Sequence, residues 1–136
     1  MRLAKQRTVC EASSDWQPTE EQEQAAVFQW VSLMEQQIPE LALLFHIPNG
    51  GLRSKSEAMR FKRTGVKAGV PDLFLPVARQ GFHGLFIEMK RKKGGRLSED
   101  QSAWMAALYR QGFLAVRCNG AEDACDMLVK YLTKAI

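Results

Sequence analysis

One short segment, Leu85–Lys90, constrains the fold of this chain more than any other. Side chains alternate between the two faces of a strand, so one face of this segment is wholly aliphatic and the other carries Phe86, Glu88 and Lys90. The aliphatic face needs a core to cover it, whereas a carboxylate beside an ammonium needs polar partners. The segment therefore predicts a strand of a sheet with a helix-covered apolar face.

The segments around that strand predict an α/β architecture. Asp72–Val77 reads as a second strand, and the turn residues at 80–84 make the two strands a hairpin, with Pro76 indicating an edge position or a bulge. Leu41–Ile47 and Phe113–Cys118 are predicted as further strands. Because helical segments alternate with these strands, we expect a mixed β-sheet flanked by helices, in which the last strand is parallel to its predecessor.

Capping signals and periodicity predict four helices. Their predicted bounds are Thr19 to residue 38, Ser54 to Thr64, Ser98 to about Gln111, and Ala121 to about Leu132. The first helix is expected to bury Val27, Val31, Met34 and Ile38, with Trp30 on the flank. The third is expected to turn inward Ala103, Ala106, Ala107 and Leu108.

The length of 136 residues is that of one domain. We expect residues 1–17 to form a loose arm, because they show no periodicity, and residues 18–136 to form the folded domain. Three cysteines, an odd number without CxxC spacing, argue against a disulfide framework and favour a reducing compartment. No apolar run approaches the roughly 20 residues of a membrane span, so we expect a cytoplasmic protein.

Positive charge is concentrated in the middle of the chain. The stretch from Arg53 to Arg96 contains 12 Lys and Arg residues against 3 Asp and Glu residues, although the net charge of the whole chain is only +4. Such a basic segment is typical of proteins that bind nucleic acid, although cations also solvate ordinary surfaces. The few acids inside it therefore need an explanation: Glu57, Asp72 and Glu88.

Asp72 and Glu88 lie on the two strands of the predicted hairpin, where they could face each other. Two such carboxylates repel each other strongly in a partly desolvated site unless a cation lies between them. Hard oxygen ligands favour Mg²⁺ or Mn²⁺, which also accept phosphate oxygens. Lys90 could then bind a phosphate oxygen or help to deprotonate an attacking water, although an isolated Glu-x-Lys pair is usually a plain salt bridge.

Several short sequence motifs together indicate a family resemblance. Residues 69–72 read Gly-Val-Pro-Asp, and after a gap of 15 residues the stretch 88–90 reads Glu-Met-Lys. Pro-Asn-Gly-Gly at 48–51 and Leu-Ser-Glu-Asp-Gln at 97–101 flank them. This combination resembles the VRR-NUC branch of the PD-(D/E)xK nuclease superfamily, of the stand-alone phage or bacterial type, over about residues 19–132.

The resemblance implies a restriction-endonuclease-like fold and the hydrolysis of DNA phosphodiesters with Mg²⁺ or Mn²⁺, in a bacterial or phage-infected cell. Asp72 and Glu88 would be metal ligands, together with the backbone carbonyl of Met89, and Lys90 would be the catalytic lysine. The basic residues around them would bind backbone phosphates, so the shape of the DNA would matter more than its base sequence.

Two further family positions have competing interpretations. A glutamate on the first helix matches Glu20 best, with Glu23 as competitor, and either could simply favour the positive end of the helix dipole. Gln101 would steady the scissile phosphate or the lysine, but it is also the capping-box partner of Ser98. Asn49 could contact the substrate from its turn. Two histidines are interpreted as structural: His46 and His83.

The sequence thus predicts a structure-selective DNA endonuclease, with four-way (Holliday) junctions as a candidate substrate. The alternatives are a flap or nicking nuclease of the same chemistry, or an inactive DNA-binding module with a nuclease fold. A four-way junction needs two symmetric cuts and the chain has one site, so we expect a homodimer, as the resemblance also implies. The first helix is a candidate surface, because Phe28 and Trp30 fall on different faces.

Overall fold

The computed structural model describes residues 16–48 and 54–134, and its elements follow the predicted order. The helices are α1 (Glu20–Met34), α2 (Lys55–Arg63), α3 (Glu99–Arg110) and α4 (Ala121–Thr133). The strands are β1 (Phe45–His46), β2 (Leu73–Leu75), β3 (Leu85–Lys90) and β4 (Leu114–Asn119). A 3₁₀ helix at Pro39–Leu43 precedes β1.

The four strands form one mixed sheet in the order β1-β2-β3-β4. β2 is antiparallel to both β1 and β3, and its register pairs Leu73 with Ile87. β4 is parallel to β3 after the crossover through α3, with Lys90 opposite Asn119. The predicted hairpin and the predicted parallel strand are both confirmed.

The hydrophobic core lies between one face of the sheet and the helices α1 and α4. The sheet contributes Leu73, Leu75, Leu85, Ile87, Met89 and Cys118, and the two helices contribute Val27, Val31, Ala124, Leu128 and Tyr131. Burying each large aliphatic side chain stabilises the fold by roughly 1.5–3 kcal/mol. The α3 helix lies on the opposite face, where Gln101 contacts Glu88 and Lys90.

The predicted strand at Leu41–Ile47 is wrong for most of its length. Pro39 begins a 3₁₀ helix instead, and Leu41 and Leu44 reach the core with the three-residue spacing of that helix. Only Phe45–His46 is extended and paired. The first helix also ends at Met34 rather than residue 38. Residues 35–37 form a turn, and Ile38 is non-helical, as the residue before a proline prefers.

Two smaller expectations also need correction. Pro76 directly follows β2, which is an interior strand, so this proline ends the strand rather than marking an edge. The inward face of α3 is formed by half-buried Trp104, Met105 and Leu108 beside Ala107, whereas Ala103 and Ala106 are exposed. Periodicity alone cannot choose between neighbouring faces of a helix with so many apolar residues.

The aromatic side chains of α1 do not support the predicted dimer surface. Phe28 and Trp30 are both half-buried and contact the core. The exposed side of α1 carries polar residues and Leu33.

Several expectations fall on residues that the structure does not describe: the arm up to residue 15, the turn from Asn49, and Arg53. Cys118 and Cys125 are free thiols, and Cys10 lies outside the described residues. None of the helices in the described ranges is long and apolar enough to cross a membrane.

Candidate active site

The register of the β2–β3 hairpin brings Asp72 and Glu88 together. Leu73 pairs with Ile87, so one further step along the register places Asp72 opposite Glu88. The apolar faces of both strands point into the core, where Leu73 and Ile87 are fully buried. Asp72 and Glu88 therefore share the opposite face of the sheet, as the sequence predicts.

Asp72 is held in place through both its side chain and its backbone. Its Oδ2 accepts a hydrogen bond of 2.8 Å from the backbone N–H of Met89. Its carbonyl oxygen accepts one from the Ile47 N–H, at 2.7 Å, and one from His46 Nδ1, at 2.8 Å. His46 thus fixes the backbone of Asp72, in agreement with the structural role expected for it.

Gly69 brings this segment close to α3. Its φ of +89° is in the left-handed region, and a Cβ atom there would lie only 2.6 Å from the backbone carbon of Asp100. A larger residue would push the Asp72 segment away from the first turn of α3, where Gln101 lies.

Glu88, Lys90 and Gln101 form one hydrogen-bonded network. Lys90 Nζ donates to Gln101 Oε1 at 3.0 Å and lies 3.6 Å from Glu88 Oε1. Gln101 Nε2 donates to the same oxygen of Glu88 at 2.9 Å, and Gln101 Oε1 also accepts from the Ser98 N–H. Gln101 therefore closes the predicted capping box and contacts both site residues at once, so its two interpretations are compatible.

The aliphatic stem of Lys90 lies against Gly95 in the loop after β3. A Cβ atom on Gly95 would approach Lys90 Cβ to 2.9 Å, closer than side chains pack. Lys90 is 6% exposed and Glu88 is 2% exposed, so both charges are held almost entirely away from water.

The pKa of Glu88 is raised to about 8, first by burial and then by the charge of Asp72, against the lowering effect of Lys90. A hydrogen bond to Asp72, which Glu88 can donate only when protonated, acts in the same direction, as does the charge of Glu20. The ionised pair is thus unfavourable without a counter-charge.

The side chains of this pair fit a divalent cation. Within the described residues, Oε2 of the ionised Glu88 is buried and receives no hydrogen bond, which is costly unless a cation binds there or the carboxyl is protonated and donates to Asp72. No three Asp, Glu, His or Cys side chains of that part of the chain converge into a closed metal cage. Mg²⁺ characteristically uses one or two carboxylates together with waters and substrate phosphates, so a pair of carboxylates is an adequate protein contribution.

The two candidate glutamates of α1 lie in different environments. Glu20 is exposed in the first turn, and its charge acts on Glu88. Glu23 is 4% exposed and accepts a hydrogen bond from the N–H of Ala121. It thereby caps α4, whose own N-cap residue, Gly120, has no side chain to do so.

Exposed cations surround the carboxylate pair along the sequence. Those before Asp72 are Lys55, Arg60, Lys62, Arg63 and Lys67, and those after Lys90 are Arg91, Lys92, Lys93 and Arg96. The α2 helix, which carries all of the first group except Lys67, has no buried residue.

Sequence reasoning missed the capping role of Glu23 and a contact between Gln17 and Lys93. Gln17 accepts from the Lys93 N–H and donates to the Lys93 carbonyl, although 76 residues separate them. No periodicity reveals so distant a pair, whereas the glycine at the start of α4 was a signal that a remote capping group was needed.

The predicted family resemblance is confirmed by comparison with known proteins. The family model of the VRR-NUC domain matches residues 4–122. A solved structure described as a VRR_NUC domain protein is 31% identical, with a TM-score of 0.72, over 86% of this chain and 92% of the other. No curated protein sequence matches the chain. The α/β fold with its mixed sheet is therefore the expected one, and the chain belongs to the VRR-NUC family of nuclease domains.

Proposed function

We propose that this domain is a divalent-metal-dependent endonuclease that hydrolyses DNA phosphodiester bonds and selects its substrates by structure. Membership of the family implies a nuclease that acts on DNA. The observation that carries the finer proposal is the pairing of half-buried Asp72 with buried Glu88, whose Oε2 in the ionised state receives no hydrogen bond from the described residues and lies beside Lys90.

Asp72 and Glu88 would hold Mg²⁺ or Mn²⁺, assisted by the Met89 carbonyl and by Glu20 from α1. The bound cation would supply Lewis acidity to the phosphodiester. Lys90, held by Gln101, would donate hydrogen bonds to a phosphate oxygen or to the attacking water. Water attacks phosphorus, one P–O ester bond breaks, and the leaving oxygen takes a proton, which gives a phosphate end and a hydroxyl end.

The exposed cations would bind backbone phosphates on both sides of the cleaved bond. Such contacts position the duplex without reading bases, so substrate choice would depend on DNA shape. Four-way junctions are the first candidate substrate. Their resolution would require a homodimer with two sites. Flap and nicking activities use the same chemistry with one site.

A panel of labelled DNA substrates tests the proposal. Wild-type protein is incubated with duplex, flap, splayed and four-way DNA in Mg²⁺, in Mn²⁺ and in EDTA. We expect metal-dependent cleavage of branched DNA, and its loss in Asp72→Asn and Glu88→Gln with DNA binding retained. Glu122→Gln, which removes an exposed carboxylate on α4, is the matched control and should cleave as the wild type does.

Each result has a distinct meaning. Turnover near the wild-type rate in either site variant would overturn the site assignment. Binding without cleavage of any substrate by the wild type would leave the domain as an inactive DNA-binding module. Lys90→Ala should lower kcat, and a change confined to KM would contradict its catalytic role.

A further inference from the structure

A pocket of about 660 Å³ lies beside the candidate active site, and three of the cations proposed to bind phosphates line it. Residues 16–18 and 91–94 line it, so its walls are the segment before α1 and the loop after β3. Arg91 directly follows Lys90, which places the pocket next to the proposed path of the cleaved strand. Ligand sites typically have volumes of roughly 300 to 1,000 Å³.

The two walls of this pocket are fixed to each other. Gln17 Nε2 donates to the Lys93 carbonyl at 3.0 Å, and Gln17 Oε1 accepts from the Lys93 N–H at 3.1 Å. The stem of Lys92 lies over Gly120, where an added Cβ would meet Lys92 Cγ at 2.8 Å. The loop is therefore held in one position by contacts with α4 and with the segment before α1.

The lining combines an aromatic ring with unpaired positive charge. Trp16 is 75% exposed, which leaves a large apolar surface in water. Arg91, Lys92 and Lys93 are exposed, and none of them forms an ion pair with another described residue. An indole face beside several cations matches a nucleotide, because a base stacks on the ring while a phosphate binds the cations.

We propose that this pocket binds one unpaired nucleotide of the DNA strand that passes the active site. Its base would stack on Trp16 and its phosphate would contact Arg91, Lys92 and Lys93. A base inside a duplex is stacked on both faces and cannot reach the ring. The inference rests on the proposed nuclease function, and among the candidate substrates it assigns the pocket to those, such as flap and splayed DNA, that carry single-stranded nucleotides beside the cleavage point.

Binding to short oligonucleotides in EDTA tests the pocket without cleavage. The ligands are a five-nucleotide oligothymidine, an abasic oligomer of equal length, thymidine monophosphate, and an oligoglutamate of equal charge. We expect oligothymidine to quench the fluorescence of Trp16, measured as the difference between the wild type and Trp16→Leu. Trp16→Leu should bind oligothymidine roughly fivefold or more weakly and the abasic oligomer unchanged.

Matched variants separate stacking from charge. Trp16→Phe should keep most of the affinity for oligothymidine, whereas Lys92→Ala with Lys93→Ala should weaken both oligomers. Tyr109→Leu removes another exposed aromatic ring, at the far end of α3, and Lys130→Ala with Lys134→Ala removes two exposed cations of α4 and its C-terminal end; both should bind as the wild type does.

Equal effects of Trp16→Leu on the oligothymidine and the abasic oligomer would overturn the proposal, as would oligoglutamate binding as tightly as oligothymidine. Tighter binding of thymidine monophosphate than of the oligomer would assign the pocket to a free nucleotide and would likewise overturn it.

Cleavage then separates this inference from the function on which it rests. Trp16→Leu should lower cleavage of flap and splayed substrates roughly fivefold or more and leave cleavage of four-way DNA, whose bases are paired, unaffected. Equal rates of the wild type and Trp16→Leu on all substrates would overturn the pocket and leave the nuclease assignment intact. Quenching by oligothymidine without cleavage of any DNA would instead overturn the nuclease proposal alone.

Discussion

Gly95 shows how a single missing side chain can position the proposed catalytic lysine. A methyl group there would contact Lys90 Cβ at 2.9 Å, and the Cβ of a strand residue cannot yield without moving the backbone. We expect Gly95→Ala to displace the ammonium of Lys90 from Gln101 and to lower kcat at least tenfold, with KM nearly unchanged. Steady-state kinetics on a branched substrate check this, and an unchanged kcat would show that the lysine has room to adapt.

The pKa of Glu88, raised to about 8 by burial and by Asp72, makes metal binding depend on pH. A cation needs the ionised carboxylate, so its apparent affinity should fall as the pH drops below about 8, by up to tenfold per pH unit, with release of a proton on binding. Calorimetry in buffers of different ionisation enthalpy measures that proton. Glu88→Gln should abolish the metal-linked proton release, and pH-independent binding by the wild type would contradict the assignment.

The same shift determines how the metal-free protein responds to pH. The folded pKa of Glu88 lies above its ordinary value of 4.5, so the folded state binds more protons than the unfolded state between these values. The resulting stability is complete below pH 4.5 and is lost as the pH rises through about 8. We expect Mg²⁺ to raise the Tm more at pH 8.5 than at pH 6, and no such difference in Glu88→Gln.

At the scale of elements, the first turn of α3 both stabilises the helix through its capping box and contacts the proposed catalytic residues. Ser98→Ala removes the side-chain half of the capping box and should cost about 0.5–2 kcal/mol of stability without changing kcat. Gln101→Ala removes the reciprocal half together with the contacts to Lys90 and Glu88, so it should lower both stability and kcat. Chemical denaturation measures the stability of the two variants, and steady-state kinetics measures their kcat. Identical kinetic effects of the two substitutions would show that Gln101 acts only as a capping residue.

The α2 helix is held by its caps rather than by a buried face, because none of its residues is buried. Its last turn carries Lys62 and Arg63, and we expect their replacement by Ala to weaken DNA binding for all sequences. The dependence of log K on log salt should become shallower, as seen in titrations at several salt concentrations. Lys130→Ala with Lys134→Ala is the control, and an unaltered slope for the α2 variant would place this helix away from the DNA.

The elements with strong local signals could be predicted from the sequence, and those decided by tertiary contacts could not. Thr19, Ser54 and Ser98 each cap the helix that was expected from them. The hairpin register was predictable because side chains alternate in Leu85–Lys90. A shift of one residue would move its aliphatic side chains out of the core. The 3₁₀ helix at Pro39–Leu43 was not, since a short apolar run fits a strand as well as a helical turn.

The same distinction applies to the candidate site. Asp72 directly precedes β2, and Glu88 and Lys90 lie on β3. The register of these two strands can be predicted from their alternating side chains, so the proximity of the three residues follows from the sequence. Glu20 and Glu23 are one helical turn apart, and only the position of α4 separates them, because Ala121 takes Glu23 as a cap. The pocket at Trp16 depends on the contact between Gln17 and Lys93, which no local pattern encodes.

At the scale of the whole molecule, the proposed resolution of a four-way junction requires two copies of this site. Each chain offers one Asp72–Glu88 pair, and a two-fold dimer is the simplest way to present two sites to symmetric strands. The β1 edge of the sheet is the surface that we propose for this contact. Among the described residues β1 pairs with β2 alone, and Leu43 and Phe45 beside this edge are 52% and 47% exposed.

Substitutions at this apolar edge should separate nicking of one strand, which needs one site, from paired cleavage of two strands, which needs a dimer. We expect Leu43→Lys with Phe45→Thr to sediment as a monomer at micromolar concentration and to nick junctions without making paired cuts, because exposed charge opposes burial of the edge. Leu33→Lys changes a more exposed leucine, at 77%, on α1 and should remain dimeric. A wild-type monomer that makes paired symmetric cuts would refute the argument, and a wild-type monomer that only nicks or trims would favour the flap or nicking nuclease.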